Sequence, residues 1–450
     1  MRRGRESILP QSESSLAGPA LAAGWFAPHR EAMSGADAAW FHMDREHNLM
    51  VVNTVFCLDQ RPDWDEVERL LRTRAVERFR RFRQRGVEPP VTLGLLAPWW
   101  EDDESFDIRR HLTRVDLSSS TGQGALDQHV AEQATVDLDR RHPLWLLELI
   151  DLPGGAAALL LRTHHAIGDG AAIFKVIMAL TDSAERPPAA QRAEAPSPAA
   201  AADPFAIQRT AVAMATLTER LFQRRATQGA LRAPLGGQKH VAHLEPIALR
   251  ELKEAGRATG STVNDVFLAA LAGAFREHFA EQGIDPADVD VSMPVSVRDP
   301  RRDGRDELGN RFGLVFIRLP VAAADRRERR VLVTERTGAL KSSQEPEVVF
   351  AGLSTLGHFP RGMQNAWVDA FSGDSAAVVT NVPGPRSAVS IAGVRVSRMY
   401  FFVPSTGPVG LGISFLSYNG NAIVSLIADR ATLPALEPFA ARLERELHQP

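Results

Sequence analysis

One segment carries most of the structural information in this chain: Leu159-Leu160-Leu161-Arg162-Thr163-His164-His165-Ala166-Ile167-Gly168-Asp169-Gly170. The apolar residues at its start are typical of a buried strand, and the glycines near its end allow a tight turn. Beyond the turn, apolar residues at helical spacing mark the buried face of a helix: Ile173, Val176, Ile177 and Leu180. The segment therefore predicts a strand that ends in two adjacent histidines, then a turn, then a helix.

The two adjacent histidines should face different environments, because successive side chains of a strand point to opposite faces. One of His164 and His165 is then packed, and the other faces a cleft, where a neutral imidazole can take a proton from a hydroxyl and return it. The alternatives are two core or surface histidines, or a metal site with Asp169, for which no further ligand stands at a familiar spacing. We expect one chemical histidine and no metal.

Asp169 lies far enough along the turn to fold back and accept a hydrogen bond, or to pair with an arginine, which would fix the loop that carries the histidines. The sequence has no Gly-x-Ser-x-Gly motif, and its single cysteine, Cys57, lies in a predicted strand without an evident histidine partner. Both observations favour direct transfer of a group between two substrates over a covalent acyl-enzyme.

The composition argues against several classes of protein. Lys+Arg 52 against Asp+Glu 55 gives a formal net charge of -3, so the chain lacks the overall positive field that binds nucleic acid through its phosphates. A single cysteine cannot form an internal disulfide, which fits a reducing compartment such as the cytoplasm. No apolar run approaches the ~18–20 residues of a membrane-spanning helix.

The clearest change of composition lies at residues 184–204, which are rich in alanine and proline and have no apolar periodicity. We interpret this segment as a linker between an N-terminal domain, 33–183, and a C-terminal domain, 205–450. Residues 1–32 are interpreted as a flexible extension, with a poor signal peptide as the alternative. Helices are predicted at 64–85, 205–225, 249–259 and 263–279. Strands are predicted at 156–162, 289–294, 313–319, 376–380, 410–417 and 422–428. The pattern is that of a mixed α/β protein.

The segment from His164 to Gly170 matches the HHxxxDG motif of coenzyme A-dependent acyltransferases. The chain further resembles the bacterial bifunctional wax ester synthase/diacylglycerol acyltransferase family from about Met33 to its C-terminus. The other segments that carry the resemblance are Met33-Ser34-Gly35-Ala36-Asp37-Ala38, Arg80-Arg81-Phe82-Arg83-Gln84-Arg85, Pro143-Leu144-Trp145, Thr262-Val263-Asn264-Asp265-Val266, Pro294-Val295-Ser296-Val297-Arg298, Gly309-Asn310-Arg311, Asn381-Val382-Pro383-Gly384-Pro385-Arg386 and Ser417-Tyr418-Asn419-Gly420.

The resemblance implies an α/β fold of two domains like that of chloramphenicol acetyltransferase, with mixed sheets and an active-site tunnel at the domain interface. It implies an O-acyltransferase that moves a long-chain acyl group from acyl-CoA to diacylglycerol or to a long-chain alcohol. His165, the second histidine of the motif, would be the general base, His164 a supporting residue and Asp169 a structural one. Acyl-CoA would be a co-substrate, and no further cofactor is expected.

Four other residues are candidates for substrate binding. Asn264 and Asp265 open a predicted helix, so capping of its N-terminus is as good an explanation as a place near the substrate. Arg298 could be the buried partner of Asp169 or a surface arginine on a turn. Gly170 permits the tight path of the loop. The segment 381–386 has the composition of a rigid turn.

One arginine-rich segment is a candidate surface for partners. The arginines between Arg69 and Arg85 form either a solvated helix face, which we favour, or a docking surface for anionic lipid or for the phosphates of CoA. Together with the predicted helix 205–225, they are the candidates for peripheral contact with the inner membrane face or with lipid inclusions.

The alternative functions are a peptide-synthetase condensation domain and a non-catalytic lipid-binding paralogue.

Overall fold

Two mixed β-sheets form the framework of the protein in a computed structural model that describes residues 29–89, 98–120, 124–182, 231, 233–298 and 307–448. The strands are β1 (Arg30–Ala32), β2 (Val51–Leu58), β3 (Gln84–Val87), β4 (Trp99–Asp102), β5 (Leu112–Asp116), β6 (Trp145–Asp151), β7 (Ala157–His164), β8 (Lys239–His243), β9 (Ile247–Ala248), β10 (Val289–Ser296), β11 (Phe312–Leu319), β12 (Ser375–Pro383), β13 (Ser390–Ile391), β14 (Val394–Phe402), β15 (Leu411–Tyr418) and β16 (Asn421–Asp429). The α-helices are α1 (Gly35–His42), α2 (Trp64–Leu71), α3 (Ala125–Gln133), α4 (Gly170–Leu180), α5 (Leu249–Arg257), α6 (Val263–Glu281), α7 (Arg326–Lys341), α8 (Glu345–Leu356), α9 (Arg361–Ser372) and α10 (Leu436–His448).

The first sheet has six strands in the order β13-β14-β2-β7-β6-β5 and is antiparallel except for the parallel pair β5–β6. Strand β7 lies near its centre, between β2 and β6, and every residue from Ala157 to His164 is buried. A strand that is covered on both faces needs a continuous apolar run, which explains the sequence from Ala157 to Leu161. The central strand thus holds the two histidines rigidly at its end.

The second sheet has the path β11-β10-β12-β15-β16-β8, and the short β9 also pairs with β16. Strands β10, β12 and β15 run parallel to one another, and the other neighbours are antiparallel. Helix α6 is buried along most of its length and contributes Phe267, Leu271 and Phe275 to the core of this half. A third, small sheet has the order β1-β4-β3.

The two-sheet α/β architecture confirms the fold class that the sequence predicts. The predicted strands correspond to β7, β10, β11, β12, β15 and β16, and two of the predicted helices correspond to α5 and α6. The predicted linker 184–204 and the predicted helix 205–225 lie outside the described residues. Within the part of the chain that the structure describes, no helix is both long and apolar enough to cross a membrane.

The domain boundaries predicted from sequence need two corrections. Strands β13 and β14 lie beyond residue 389 but belong to the first sheet, because β14 pairs along β2. The range 205–450 therefore does not form the second domain by itself. Arg30–Ala32, assigned above to a flexible extension, is strand β1 and pairs with β4.

The predicted helix 64–85 is also wrong in its second half. Helix α2 ends at Leu71 and continues as a π-helix over Arg72–Val76. A 3-10 turn, Arg80–Arg83, and strand β3 follow. Strand β3 pairs with β4, and its Gln84 side chain is buried and hydrogen-bonded to Asp102. Pairing with this distant strand therefore outweighs the helical spacing of apolar residues in the sequence.

Candidate active site

The loop after β7 is a single, tightly packed turn. His164 is the last residue of the strand, His165–Ile167 form one turn of 3-10 helix, and Asp169 caps helix α4. At Gly168, a Cβ atom would lie 2.7 Å from the Cβ of Ala172, so only a glycine at this position allows helix α4 to pack this close to the turn. The backbone N–H of His165 donates to the carbonyl of Met50, 2.7 Å away, which ties the turn to the start of β2.

His164 is a buried structural residue, with 1% of its surface exposed. Its Nδ1 accepts a hydrogen bond from the Ala166 N–H at 3.0 Å, so its proton lies on Nε2, which donates to Asp44 Oδ2 at 3.0 Å. Burial works against ionisation of Asp44, but His164, the Met50 N–H and Arg140 outweigh it and hold the pKa of this carboxyl well below its usual range. His164 therefore has no ring nitrogen left for a substrate.

His165 has different surroundings, as the alternation of strand side chains predicts. Its ring stacks on Trp40, with 4.2 Å between ring centroids, and Phe312 lies at 5.5 Å. Its Nδ1 lies 2.9 Å from Asn310 Oδ1, and the residue is partly exposed. Burial lowers the pKa of His165 to about 4, against the opposing effects of Asp169 and of the Asn310 hydrogen bond. The imidazole is thus neutral at pH 7, with Nε2 as its second nitrogen.

Asn310 lies in the turn before β11 and joins this site to helix α1. Its Nδ2 donates to Asp37 Oδ1 and to the carbonyl oxygen of His165, both at 2.8 Å. Its backbone N–H also donates to Asp37 Oδ1 at 2.8 Å. The second half of the chain therefore reaches across and contacts the histidine loop directly.

Asp169 holds the same two segments together without contacting the His165 ring. Its Oδ1 accepts the N–H of Ala172 at 2.9 Å. Its Oδ2 accepts from Arg298 Nη2 at 3.0 Å and from the backbone N–H of Arg311 at 2.8 Å. The ion pair with Arg298 is buried, with 9% and 6% of the two side chains exposed. This ion pair is the partnership with Arg298 that the sequence suggested.

The other predicted residues lie apart from the imidazole. Asp265 is the third residue of helix α6 and forms a capping box with Thr262, and its second carboxylate oxygen accepts from Thr337 at 2.7 Å. Of the two explanations for Asp265, capping is the one that the structure shows. Asn264 accepts a hydrogen bond from Asn381 of β12 at 3.1 Å, and a Cβ on Gly170 would lie 3.8 Å from Val382. Substrate binding by Asn264 and Gly170 stays a prediction.

Sequence reasoning assigned no role to four residues that surround the two histidines: Asp37, Trp40, Asp44 and Asn310. Asp37 and Asn310 stand in segments that carry the family resemblance, which is the signal that could have singled them out. Trp40 follows Asp37 by three positions, so both lie on one side of helix α1. The Trp40 Nε1–H is buried and has no hydrogen-bond partner among the described residues.

The arginines between Arg69 and Arg85 are largely neutralised by acidic neighbours. The ion pairs are Arg69–Glu66, Arg72–Glu68, Arg74–Asp182, Arg80–Asp102, Arg81–Glu31 and Arg85–Glu101. An arginine that already holds a carboxylate offers little net charge to a phosphate. The solvated-face interpretation of this segment is therefore the better one. Among the described residues, no group of three or more His, Cys, Asp or Glu is placed to hold a metal ion.

Solved structures share this architecture. The chain aligns with the wax ester synthase/diacylglycerol acyltransferase from Marinobacter aquaeolei at a TM-score of 0.66 and 22% identity, covering 93% of this chain and 98% of that one. The first condensation domain of the CDA synthetase aligns at a TM-score of 0.61 and 18% identity, covering 94% and 97%. The chain therefore shares the two-domain fold of this class of structures, which includes an acyltransferase and a condensation domain.

Sequence comparison narrows this class to one family. The family model described as the wax ester synthase/diacylglycerol acyltransferase catalytic domain matches residues 33–223, and that of the WS/DGAT C-terminal domain matches residues 308–449. A Mycobacterium tuberculosis H37Rv protein with the provisional name diacylglycerol O-acyltransferase is 28% identical over 92% of this chain and 89% of its own length. The chain belongs to the wax ester synthase/diacylglycerol acyltransferase family, and it is an acyltransferase.

Proposed function

We propose that the protein transfers a long-chain acyl group from acyl-CoA to the hydroxyl of diacylglycerol or of a long-chain alcohol, with His165 as the general base. The observation that carries this proposal is the contrast between the two histidines. His164 uses both ring nitrogens inside the protein, whereas the described contacts of His165 use only Nδ1. Nε2 of the partly exposed ring is then available to a substrate.

In the proposed reaction, Nε2 of His165 takes the hydroxyl proton of the acceptor as its oxygen attacks the thioester carbonyl carbon. The tetrahedral oxyanion collapses, the C–S bond breaks, and the CoA thiolate takes the proton back from the imidazolium. Assistance by a general base contributes about 10²–10⁴-fold to such a step. Positioning of the two substrates and stabilisation of the oxyanion must supply the remainder.

The proposal includes no covalent acyl-enzyme. Cys57 lies on β2, and burial raises the pKa of its thiol to about 12, so the thiolate that would attack a thioester is absent at neutral pH. Both substrates must then be bound together. Initial rates measured against both substrates should give intersecting double-reciprocal lines, and parallel lines together with a trapped acyl group on Cys57 would contradict direct transfer.

The acceptor class follows from relatives, because the two named above are called a diacylglycerol O-acyltransferase and a wax ester synthase/diacylglycerol acyltransferase. The test is to incubate the purified protein with labelled palmitoyl-CoA and either dioleoylglycerol or hexadecanol, and to resolve the lipid products. His165→Ala is the matched control. We expect ester formation that requires His165. Lipid binding without ester formation from either acceptor would favour a non-catalytic paralogue. Acyl transfer that occurs only between carrier-bound substrates would favour a condensation domain.

We further propose that the protein meets its lipid acceptors at a lipid surface on the cytoplasmic side. Phe359 and Met363 support a place for this contact, because they are large apolar residues, 42% and 57% exposed, at the junction of α8 and α9. Flotation with dioleoylglycerol-containing vesicles should be weakened in Phe359→Ser/Met363→Ser. Val136→Ser, which changes an exposed apolar residue elsewhere, is the control.

A further inference from the structure

We infer that Asp37 and Asn310 form a positioning relay that fixes the proton of His165 on Nδ1 and so leaves Nε2 as the basic nitrogen. This inference rests on the proposed function and deepens it. Neither residue needs to touch a substrate, because both act through the orientation and the tautomer of the imidazole.

The orientation of the Asn310 amide is determined by its neighbours. Its Nδ2 lies 2.8 Å from Asp37 Oδ1 and 2.8 Å from the carbonyl oxygen of His165. A backbone carbonyl only accepts hydrogen bonds, as does an ionised carboxylate, so the NH₂ group must face these oxygens and Oδ1 must face His165. Oδ1 lies 2.9 Å from Nδ1 and can only accept. The ring proton is therefore on Nδ1, and the lone pair is on Nε2.

Asp37 is the anchor of this arrangement. It is 5% exposed, lies in the first turn of α1, and uses one oxygen to accept both the side-chain and the backbone N–H of Asn310. Gly309 has φ +103° and brings the turn so close that a Cβ atom would lie 3.3 Å from Asp37 Oδ2. A carboxylate is favoured in the first turn of a helix by the helix dipole. Rotation of the amide would therefore cost the two hydrogen bonds that Nδ2 donates, to Asp37 Oδ1 and to the carbonyl oxygen of His165.

A neutral amide between carboxylate and imidazole has a chemical advantage. His164 shows the opposite arrangement, with Asp44 directly on its ring. A carboxylate in contact with a ring stabilises the protonated form, and an amide fixes the tautomer with much less of that effect. The relay thus keeps His165 oriented and unprotonated, which the first step of acyl transfer requires.

The test compares the wild type with Asn310→Ala, Asn310→Asp, Asp37→Asn and the exchange Asp37→Asn/Asn310→Asp. Asn310→Ala should lower kcat about 10²–10⁴-fold with little change in KM, because the imidazole loses its fixed orientation together with its fixed tautomer. In the exchange variant, the amide introduced at position 37 can donate to the carboxylate introduced at position 310, which accepts from Nδ1–H. Its kcat should exceed that of either single variant by at least tenfold.

Two readouts separate positioning from a structural effect. Histidine-selective ¹⁵N NMR reports the tautomer, and His165→Ala identifies the relevant signal among the 13 histidines. The exchange variant should also move the acid limb of the kcat profile to higher pH, because a carboxylate then faces the ring. The other charged or titratable groups around the ring are His164 and Asp169 on its own loop, Asp37 on α1, and Arg298 and Arg311 beside the turn.

Asn48→Ala is the matched control, since Asn48 is a buried asparagine that donates to the carbonyls of Ser405 and Gly407. It should lose stability without changing the tautomer signal. If Asn310→Ala folds and keeps the wild-type kcat, tautomer and pH profile, the relay is refuted even where His165→Ala is inactive. If His165→Ala keeps full activity, the proposed function itself is wrong. A variant of Asn310 that fails to fold is replaced in the comparison by Asp37→Asn.

Discussion

Replacement of the two adjacent histidines should affect activity and stability differently. His165→Ala removes the proposed base and should lower turnover by about 10²–10⁴-fold or more while the melting temperature stays near that of the wild type. His164→Ala leaves the buried N–H of Ala166 without a partner, which typically costs about 1–3 kcal/mol. It also removes one of the two donors to Asp44 Oδ2, which keeps its hydrogen bond from Arg140. Thermal unfolding and acyl-transfer rates of both variants check this assignment. Reversed outcomes would exchange the two roles.

The lowered pKa of His165 predicts how stability changes with pH. Burial brings this pKa from 6.5 to about 4 in the folded protein, so the unfolded chain binds the proton first as the pH falls. The contribution of neutral His165 to the free energy of unfolding is complete above pH 6.5, and about 2 kcal/mol of this contribution is lost at pH 5. His165→Gln should therefore lose less stability than the wild type between pH 7.5 and pH 5, as measured by urea unfolding. Equal losses would contradict the lowered pKa.

Trp40 combines an apolar face against His165 with a buried N–H that has no partner among the described residues. We predict that this donor stabilises the oxyanion of the tetrahedral intermediate, and loss of one oxyanion donor typically costs about 10²–10³-fold in kcat. Trp40→Phe keeps an aromatic ring over the imidazole but removes the N–H together with part of the buried indole, so it also lowers the melting temperature. We expect a kcat reduced by at least tenfold in protein that is still folded at the assay temperature. A fully active variant would show that Trp40 serves packing alone.

At the scale of the elements, Asp169 holds the turn between β7 and α4 in its observed conformation. Asp169→Asn leaves Arg298 buried without its counter-charge, a change that typically costs about 3–5 kcal/mol. Activity should fall because the Arg311 backbone, next to Asn310, is released. Because the charge of Asp169 opposes the lowering of the His165 pKa, the pH at which His165 titrates should move lower. Melting curves and a pH profile of kcat measure both effects.

Asp169→Asn/Arg298→Met provides the control for this prediction. If the cost comes from an unpaired buried charge, the double variant should be more stable than Asp169→Asn alone, because both charges are gone. An inactive Asp169→Asn with the melting temperature of the wild type would instead assign Asp169 a chemical role.

Elements with strong local patterns are the ones that the sequence predicts well. The apolar run before His164 and the amphipathic residues after Gly170 are sufficient to predict β7 and α4, since both patterns lie in one short segment. The helix predicted at 64–85 fails because the pairing of Gln84–Val87 with β4 is formed by a distant segment. Asn310 escapes prediction for the same reason, as its contact with His165 spans 145 positions. Local pattern cannot indicate a partner at that distance.

For the whole molecule, the pairing of β14 with β2 decides whether the first domain is independent. Without β14, a fragment of residues 29–183 would expose the edge of β2 from Asn53 to Leu58 to other chains. We expect this fragment to aggregate when expressed alone and to copurify with residues 231–450 when the two are expressed together. Gel filtration of both preparations checks this. A monomeric, folded fragment 29–183 would contradict it.

The same pairing determines when the protein can finish folding during synthesis. Ser397 and Cys57, which are joined by a hydrogen bond between β14 and β2, are 340 positions apart in the chain. At the usual ~5–20 residues per second, the ribosome needs roughly 17–70 s to make the intervening segment. Until then β2 has at most β7 beside it, and the nascent chain presents an open strand to chaperones. The two histidines therefore emerge early, but the sheet that holds them is completed only after β14 has been made.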